Sequence, residues 1–381
     1  MYSLQPGYDA VPEASSIIVY AISIYSIYTI LIFIYRVTLH PLARFPGPKL
    51  AAGSFWYEFY YDSFPHKLRY LWKIEELHKR YGPIVRINPI HLHINDPDYL
   101  DEIYARSAGQ RKRNRDPWYY RSEEDGPLGW SVFQTVDHDL HRKRRAALSP
   151  FSSKASIRAL EPMINVRIDK LAARYAEACR TSEVIPLLYA SGALTMDVIS
   201  VYAFDKDSKK LDAPDWAAEE LEAYSRMSQM GPFARQFPWV AKLLLTAVPP
   251  HFVGMLSPAA AIIPKNRAFF REMIESAIDP QRAQAAKADS RPGTSRTIFH
   301  ETIKDDLAPQ DKAPARLAAE ANLLSIAGTE TTARTLAVIM SHLLDNPSIL
   351  RRLRAELAPH MECPGSVVPL ATLEGNPYFV S

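Results

Sequence analysis

The stretch AGTETT, Ala327–Thr332, lies inside the apolar run LAAEANLLSIAGTETTARTLAVIMSHLL, Leu317–Leu344. Helix interiors seldom gather a glycine, a carboxylate and three threonines, because glycine and β-branched residues weaken a helix. Upstream, Pro314 suits a first helical turn, and downstream Asn346–Pro347 ends the pattern. The run therefore predicts one helix of about thirty residues, roughly 45 Å long, enough to cross a whole domain. A threonine inside a helix can return its hydroxyl to the carbonyl four residues back, so Thr331 is expected to reach Ala327. Gly328 leaves no side chain there, so a small ligand can approach the backbone, and Glu330 stands beside it as a proton relay. The alternative is a buried helix whose threonines are satisfied by their own backbone.

The chain has 381 residues, 47% of them hydrophobic, ample for a sizeable core. Its formal net charge of +3 gives no electrostatic case for nucleic acid. Thirty prolines against fourteen glycines suggest helices joined by stiff loops. Two cysteines, Cys179 and Cys363, exclude a disulfide scaffold and suit a reducing compartment. No CxxC pair and no zinc-type spacing is present.

From Ile17 to Tyr35 the sequence reads IIVYAISIYSIYTILIFIY, without a charge. Such a helix is about 28 Å long, one hydrocarbon thickness. Asp9 and Glu13 precede it, and Arg36, Arg44 and Lys49 follow, so the positive-inside rule puts the body of the chain in the cytosol. A cleaved signal peptide is the rival reading, against which stand the absent basic n-region and A-x-A site. The expected organisation is an anchor in residues 1–40 and a body in residues 41–381. Pro46-Gly47-Pro48 forces a stop and a turn just behind the anchor.

Helical periodicity follows in His66–Gly82, and PIVRINPIHLHIND, Pro83–Asp96, alternates as a β-hairpin does. Further helices are predicted at Asp98–Ser107, Asp139–Leu148, Pro162–Arg180, Ala193–Phe204, Trp216–Met230, Asn266–Ile278 and Pro347–Pro359. Gly231–Pro264 is apolar and Pro-rich, either core or a channel wall dipping into the membrane, and Asp279–Arg296 reads as a surface loop.

A second constellation is DHDLHRKRRAALSPF, Asp137–Phe151. His141 and Arg145 are i,i+4 neighbours on one helix face, suited to a dianion such as two carboxylates. Lys143 and Arg144 point elsewhere and suggest a basic docking patch, with a solvated helix face as the plainer reading. His91 and His93 share a strand face without a third ligand and read as surface residues. His300–Glu301 lacks the second histidine of a zinc-protease motif, and QRKRNR, Gln110–Arg115, reads as a solvated loop.

Together these features resemble the cytochrome P450 family, the haem-thiolate monooxygenases, in its membrane-bound fungal form. The anchor followed by FPGPK looks like the family's hinge, and AGTETT matches its Ala/Gly-Gly-x-Asp/Glu-Thr-Thr/Ser pattern. HRKRRAALSPF resembles the helix that binds a haem propionate, with His141 in place of the family's tryptophan and Arg145 as the arginine. IFHETIKDD, Ile298–Asp306, is similar to the segment before the family's oxygen helix. The resemblance implies a mainly α fold with a small β part, preceded by one transmembrane helix. It implies Glu330 and Thr331 as catalytic acid and alcohol, and Ala327, Gly328, His141 and Arg145 as haem contacts. It also implies electrons from NADPH through a membrane-bound reductase docking near Lys143 and Arg144, and a lipophilic substrate of fungal secondary metabolism, terpenoid or polyketide. The site of action implied is the endoplasmic reticulum membrane.

The family's Glu-x-x-Arg helix and Phe-x-x-Gly-x-Arg-x-Cys-x-Gly loop do not occur in this sequence, and GNPYFVS resembles the approach to that helix. Cys179 in EACRTS and Cys363 in MECPGS lack the ligand-loop surroundings, so no residue is assigned to the iron. The expectation is a C-terminally truncated, partial P450 fold, inactive by itself. The alternative function is a non-catalytic, membrane-tethered remnant.

Overall fold

The computed structural model describes residues 14–104, 112–121, 128–246, 248, 252, 266, 268–275, 308–361 and 365–380. The chain forms two compact units, residues 1–110 and 111–381. Segments 279–296 and 298–306, Cys363, and most of the Pro-rich stretch after Thr246 lie outside the described residues.

In the first unit, helix α1 spans Ala14–Thr38, a few residues beyond the charge-free run at each end. It is long and apolar enough to cross a membrane, and none of its apolar window is buried in the structure. Short helices α2 (Lys49–Gly53) and α3 (Trp56–Asp62) follow, then α4 (Tyr70–Tyr81). The last starts later than the sequence pattern suggests, because Leu68 and Arg69 donate back to Asp62 and Tyr61 carbonyls (both 2.9 Å) and close a turn first. Gly82 then ends it at φ +93°. The expected hairpin forms from β1 (Ile84–Arg86) and β2 (Leu92–Ile94), antiparallel with Val85 opposite His93. Tyr70, Ile74, Leu77, Val85 and Ile87 make the core of this unit.

The proline-marked turn is held by backbone contacts. Arg86 N–H donates to the Pro46 carbonyl (2.8 Å), and the Arg86 guanidinium donates to Arg36 O and Pro89 O (2.7 Å each). A Cβ on Gly47 would stand 2.4 Å from the Arg86 carbonyl oxygen, so only glycine allows this approach. His91 and His93 are half-buried and paired, a correction of their expected surface position. His93 Nδ1 meets His78 Nε2 at 2.7 Å, and His91 Nδ1 meets Asn88 Nδ2 at 2.6 Å.

The second unit is helical: α5 (Leu100–Tyr104) closes the first unit, and α6 (Pro117–Tyr120) and α7 (His138–Leu148) open the second. Then come α8 (Lys154–Ala159), α9 (Glu161–Thr181), α10 (Leu187–Phe204), α11 (Ala218–Gln236), α12 (Pro238–Thr246) and α13, residues 268–275. The long helix α14 spans Pro314–Asp345, followed by α15 (Pro347–Leu357) and the single turns α16 (Leu370–Leu373) and α17 (Pro377–Val380). Helix α11 runs through Pro232, where the sequence suggested an end. Proline removes one hydrogen bond there without ending the helix.

Helices α10 and α14 form the central pair of this unit. Ala203, Phe204, Phe270, Ile274, Leu317, Ala318 and Ala321 make one core cluster, with Ile199 and Leu324 against it. Helix α10 is also apolar enough to span a membrane, but half of it is buried in this core, which marks it as a core helix. Buried Asp197 on α10 accepts from Ser208 Oγ (2.6 Å), Lys210 N (2.7 Å) and Leu211 N (2.9 Å), and so fixes the loop that leads to α11.

Replacing Gly47 with alanine is expected to destabilise the first unit by about 1–3 kcal/mol, since a backbone carbonyl cannot step aside as a side chain can. Chemical unfolding of the full chain in detergent, with Ala51→Gly as a control for small changes nearby, measures it.

Candidate active site

Helix α14 is continuous across AGTETT, so its threonines do not break it. Thr331 Oγ1 donates to the Ala327 carbonyl at 2.7 Å, the bond expected from the sequence, and Thr335 Oγ1 repeats it to Thr331 O at 2.9 Å. At about 100° per residue, the motif's members fall on different sides of the helix. Ala327, Thr331 and Thr335 share one exposed stripe, which Val338 continues at 57% exposure. Gly328 and Thr329 face α10. A Cβ on Gly328 would stand 3.0 Å from Ile199 Cγ1, so this glycine lets two helices approach and leaves no gap on that side for a ligand. Thr195 Oγ1 on α10 donates to the Thr329 carbonyl at 3.3 Å across the same contact.

Glu330 points to a third side, toward α11. Its carboxylate pairs with Arg334 (3.1 Å) and accepts from Ser228 Oγ at 2.9 Å. The acid is thus anchored on the α11 side, one residue before the exposed hydroxyl of Thr331.

Helix α7 begins where Asp137 accepts from the Leu140 N–H at 2.8 Å. His141 lies half-buried on it, and its Nε2 accepts from Arg115 Nη2 at 2.9 Å. Burial, then the charges of Arg115, Arg145 and His138, hold the His141 imidazole below its ordinary value. Arg145, four residues on, is exposed. Arg115, His141 and Arg145 thus gather two guanidinium groups around one imidazole. The first of these was missed in the sequence, since inside QRKRNR nothing separates Arg115 from its solvated neighbours. Lys112 in the same run does behave as surface, pairing with exposed Asp139.

Arg144 corrects the expected docking patch. It is buried, and its Nε (2.8 Å) and Nη2 (2.6 Å) both donate to Asp311 Oδ1, while Nη1 reaches Thr135 Oγ1 at 2.8 Å. Only Lys143 of that pair is exposed. Close by on α14, Arg316 and Glu320 make a second ion pair (2.7 Å), both at 0% exposure. Burial raises the Glu320 carboxyl, while Arg316, the Val132 N–H and Arg144 draw it back. Arg316 Nε and Nη1 and Glu320 Oε1 have no hydrogen-bond partner among the described residues.

On the other side of α14 from Ala327, a cavity of about 780 Å³ is lined by Met196, Phe204, Tyr224, Asn266, Phe270 and Ser325, among others. Cys179 is exposed near the end of α9. Among the described residues, no group of three His, Cys, Asp or Glu side chains is placed to hold a metal ion.

Sequence comparison places this threonine-bearing helix in a known family. The cytochrome P450 family model matches residues 55–369. The cytochrome P450 monooxygenase tpcC of Cochliobolus heterostrophus is 38% identical over 91% of this chain and 64% of its own length. The tryptophan 6-hydroxylase fscE of Fusarium equiseti is 36% identical, over 97% of this chain and 69% of that protein. The monooxygenase TRI4 of Fusarium sporotrichioides is 35% identical, over 94% and 67%. A crystal structure of the cytochrome P450 CYP102L1 superposes with a TM-score of 0.54 at 17% identity, over 76% of this chain and 59% of that one. The chain belongs to the cytochrome P450 family. It spans about two thirds of the length of the curated relatives it matches.

Two outcomes are expected of this site. Replacing Arg144 with methionine leaves Asp311 buried without its partner and should cost about 3–5 kcal/mol in denaturant unfolding. For His141, whose native value is lowered, stability is fully present above about pH 6.5 and is lost as pH falls through the native value. A His141→Asn chain should therefore lose less unfolding temperature than the unaltered chain between pH 7.5 and pH 5 (both pH values about).

Proposed function

We propose that this chain supplies the distal wall of a haem monooxygenase of fungal secondary metabolism that oxidises a lipophilic small molecule. The observation that carries the reading is the stripe of α14 on which Thr331 donates to Ala327 O, with Glu330 anchored one residue away. The relatives support it, since they are fungal P450 monooxygenases. Terpenoid or polyketide substrates are the expected class, with electrons from NADPH delivered by a separate reductase, in the endoplasmic reticulum membrane.

The cationic group fits haem at its carboxylate edge, where Arg115 is oriented by its bond to His141 and exposed Arg145 adds a second charge. Bound haem would supply oxygen chemistry that no side chain here can perform. Around it, Ala327 gives a flat, unobstructed surface. Thr331 holds a hydroxyl at that surface, its proton committed to Ala327 O until a stronger acceptor displaces it. Glu330 exchanges protons with water on the α11 side, where Ser228 and Arg334 steady it. No residue is assigned to the iron, since Cys179, exposed on α9, and Cys363 both lack the surroundings of a ligand loop. The second reading is a membrane-tethered protein that binds without catalysis.

A carbon-monoxide difference spectrum of the reduced, haem-loaded chain separates the two. A haem-thiolate band favours the monooxygenase working by itself; haem uptake without that band favours the second reading. If turnover with a reductase is seen, Thr331→Ala and Glu330→Gln should each lower it about 10²–10⁴-fold at unchanged haem content, the usual range for a lost proton donor.

A further inference from the structure

Segment 128–136 connects α6 to α7 through turns, with no regular element of its own. It is nevertheless well tied. Arg144 Nη1 donates to Thr135 Oγ1 (2.8 Å) and Trp130 O (3.4 Å). Arg115 Nη1 donates to Val132 O (3.4 Å) and Phe133 O, and the Arg115 N–H to Val136 O (3.0 Å). The tie most distant in sequence comes from α14, where Glu320 Oε2 accepts the Val132 N–H at 3.0 Å and Arg316 Nη2 at 2.7 Å.

A fully buried carboxylate is a costly way to satisfy one backbone N–H. An apolar pair of similar volume in place of Arg316 and Glu320 would serve stability as well or better. What an apolar pair cannot do is fix where Val132 sits. The carbonyl of the same residue accepts from Arg115 Nη1, and Nη2 of that guanidinium donates to His141.

We infer that Glu320 is a positioning residue. It holds the Val132 N–H against α14, the Val132 and Phe133 carbonyls hold Arg115, and Arg115 holds His141 ready for a carboxylate. The inference rests on the reading that Arg115 and His141 take the haem carboxylates. Arg316 keeps the carboxylate paired, and Arg144–Asp311 anchors the other end of the segment in the same manner.

The test uses two double variants of the full chain in detergent micelles, neither leaving a buried unpaired charge. Arg316→Leu with Glu320→Met removes the acceptor for Val132. Arg316→Leu with Glu320→Gln keeps a neutral acceptor oxygen at that place. Amide hydrogen exchange across 128–136 and haemin affinity by absorbance titration are read on both. The first variant should unfold near the unaltered chain's midpoint, exchange faster at Val132 and bind haemin about tenfold more weakly, in the manner of a lost outer-shell contact. The second should recover both properties. The inference is overturned if the two variants behave alike, or if Val132 exchange quickens while haemin affinity stays put. Failure of the unaltered chain to take up haemin would instead strike the carboxylate reading itself, and a slow Val132 amide lost only in the Met variant would still support the tie.

Discussion

How closely α14 can lie against α10 decides the rest of the second unit. Gly328 permits the approach, its missing side chain leaving room for Ile199, and Thr195 crosses the gap to the Thr329 carbonyl. Ala203 on α10 and Ala321 on α14, both at 0% exposure, share the core cluster between these helices. With that face committed, the helix cannot rotate. Ala327 and Thr331 are turned to the opposite side, and Glu330 is turned to α11. A chemical face is thus set by a packing face.

The polar anchors follow from the same placement. Once α14 is fixed, its first turns bring Arg316 and Glu320 beside the 128–136 segment, and Asp311 just before it beside Arg144. These are buried charges with long sequence separation. Their cost is tolerable only because each is paired, and removing one member is far worse than removing both. Such an arrangement specifies a position more than it adds stability.

Much of this was legible in the sequence. Helix limits at α7, α9 and α14 fall within a residue or two of those read from periodicity and proline, and the hairpin pairs as its alternation implies. The Thr331 to Ala327 bond is a local rule of helices, so local sequence suffices for it. What failed was direction. Counting i,i+4 neighbours groups His141 with Arg145, but does not say which face turns inward. Arg144 is buried because Asp311, far along the chain, offsets its charge. Gly328 illustrates the same limit, since a glycine serves a ligand or a neighbouring helix equally well until the neighbour is known. Helix α11 likewise outruns Gly231–Pro232, so a local breaker does not by itself set a helix end.

The most direct measurement is an experimental structure of the full chain loaded with haemin. The account predicts the porphyrin lying against the Ala327–Thr331 stripe of α14, its carboxylates on Arg115 and His141. Haem found instead in the cavity beside Tyr224 and Ser325, or bound with Arg115 and His141 untouched, would contradict it.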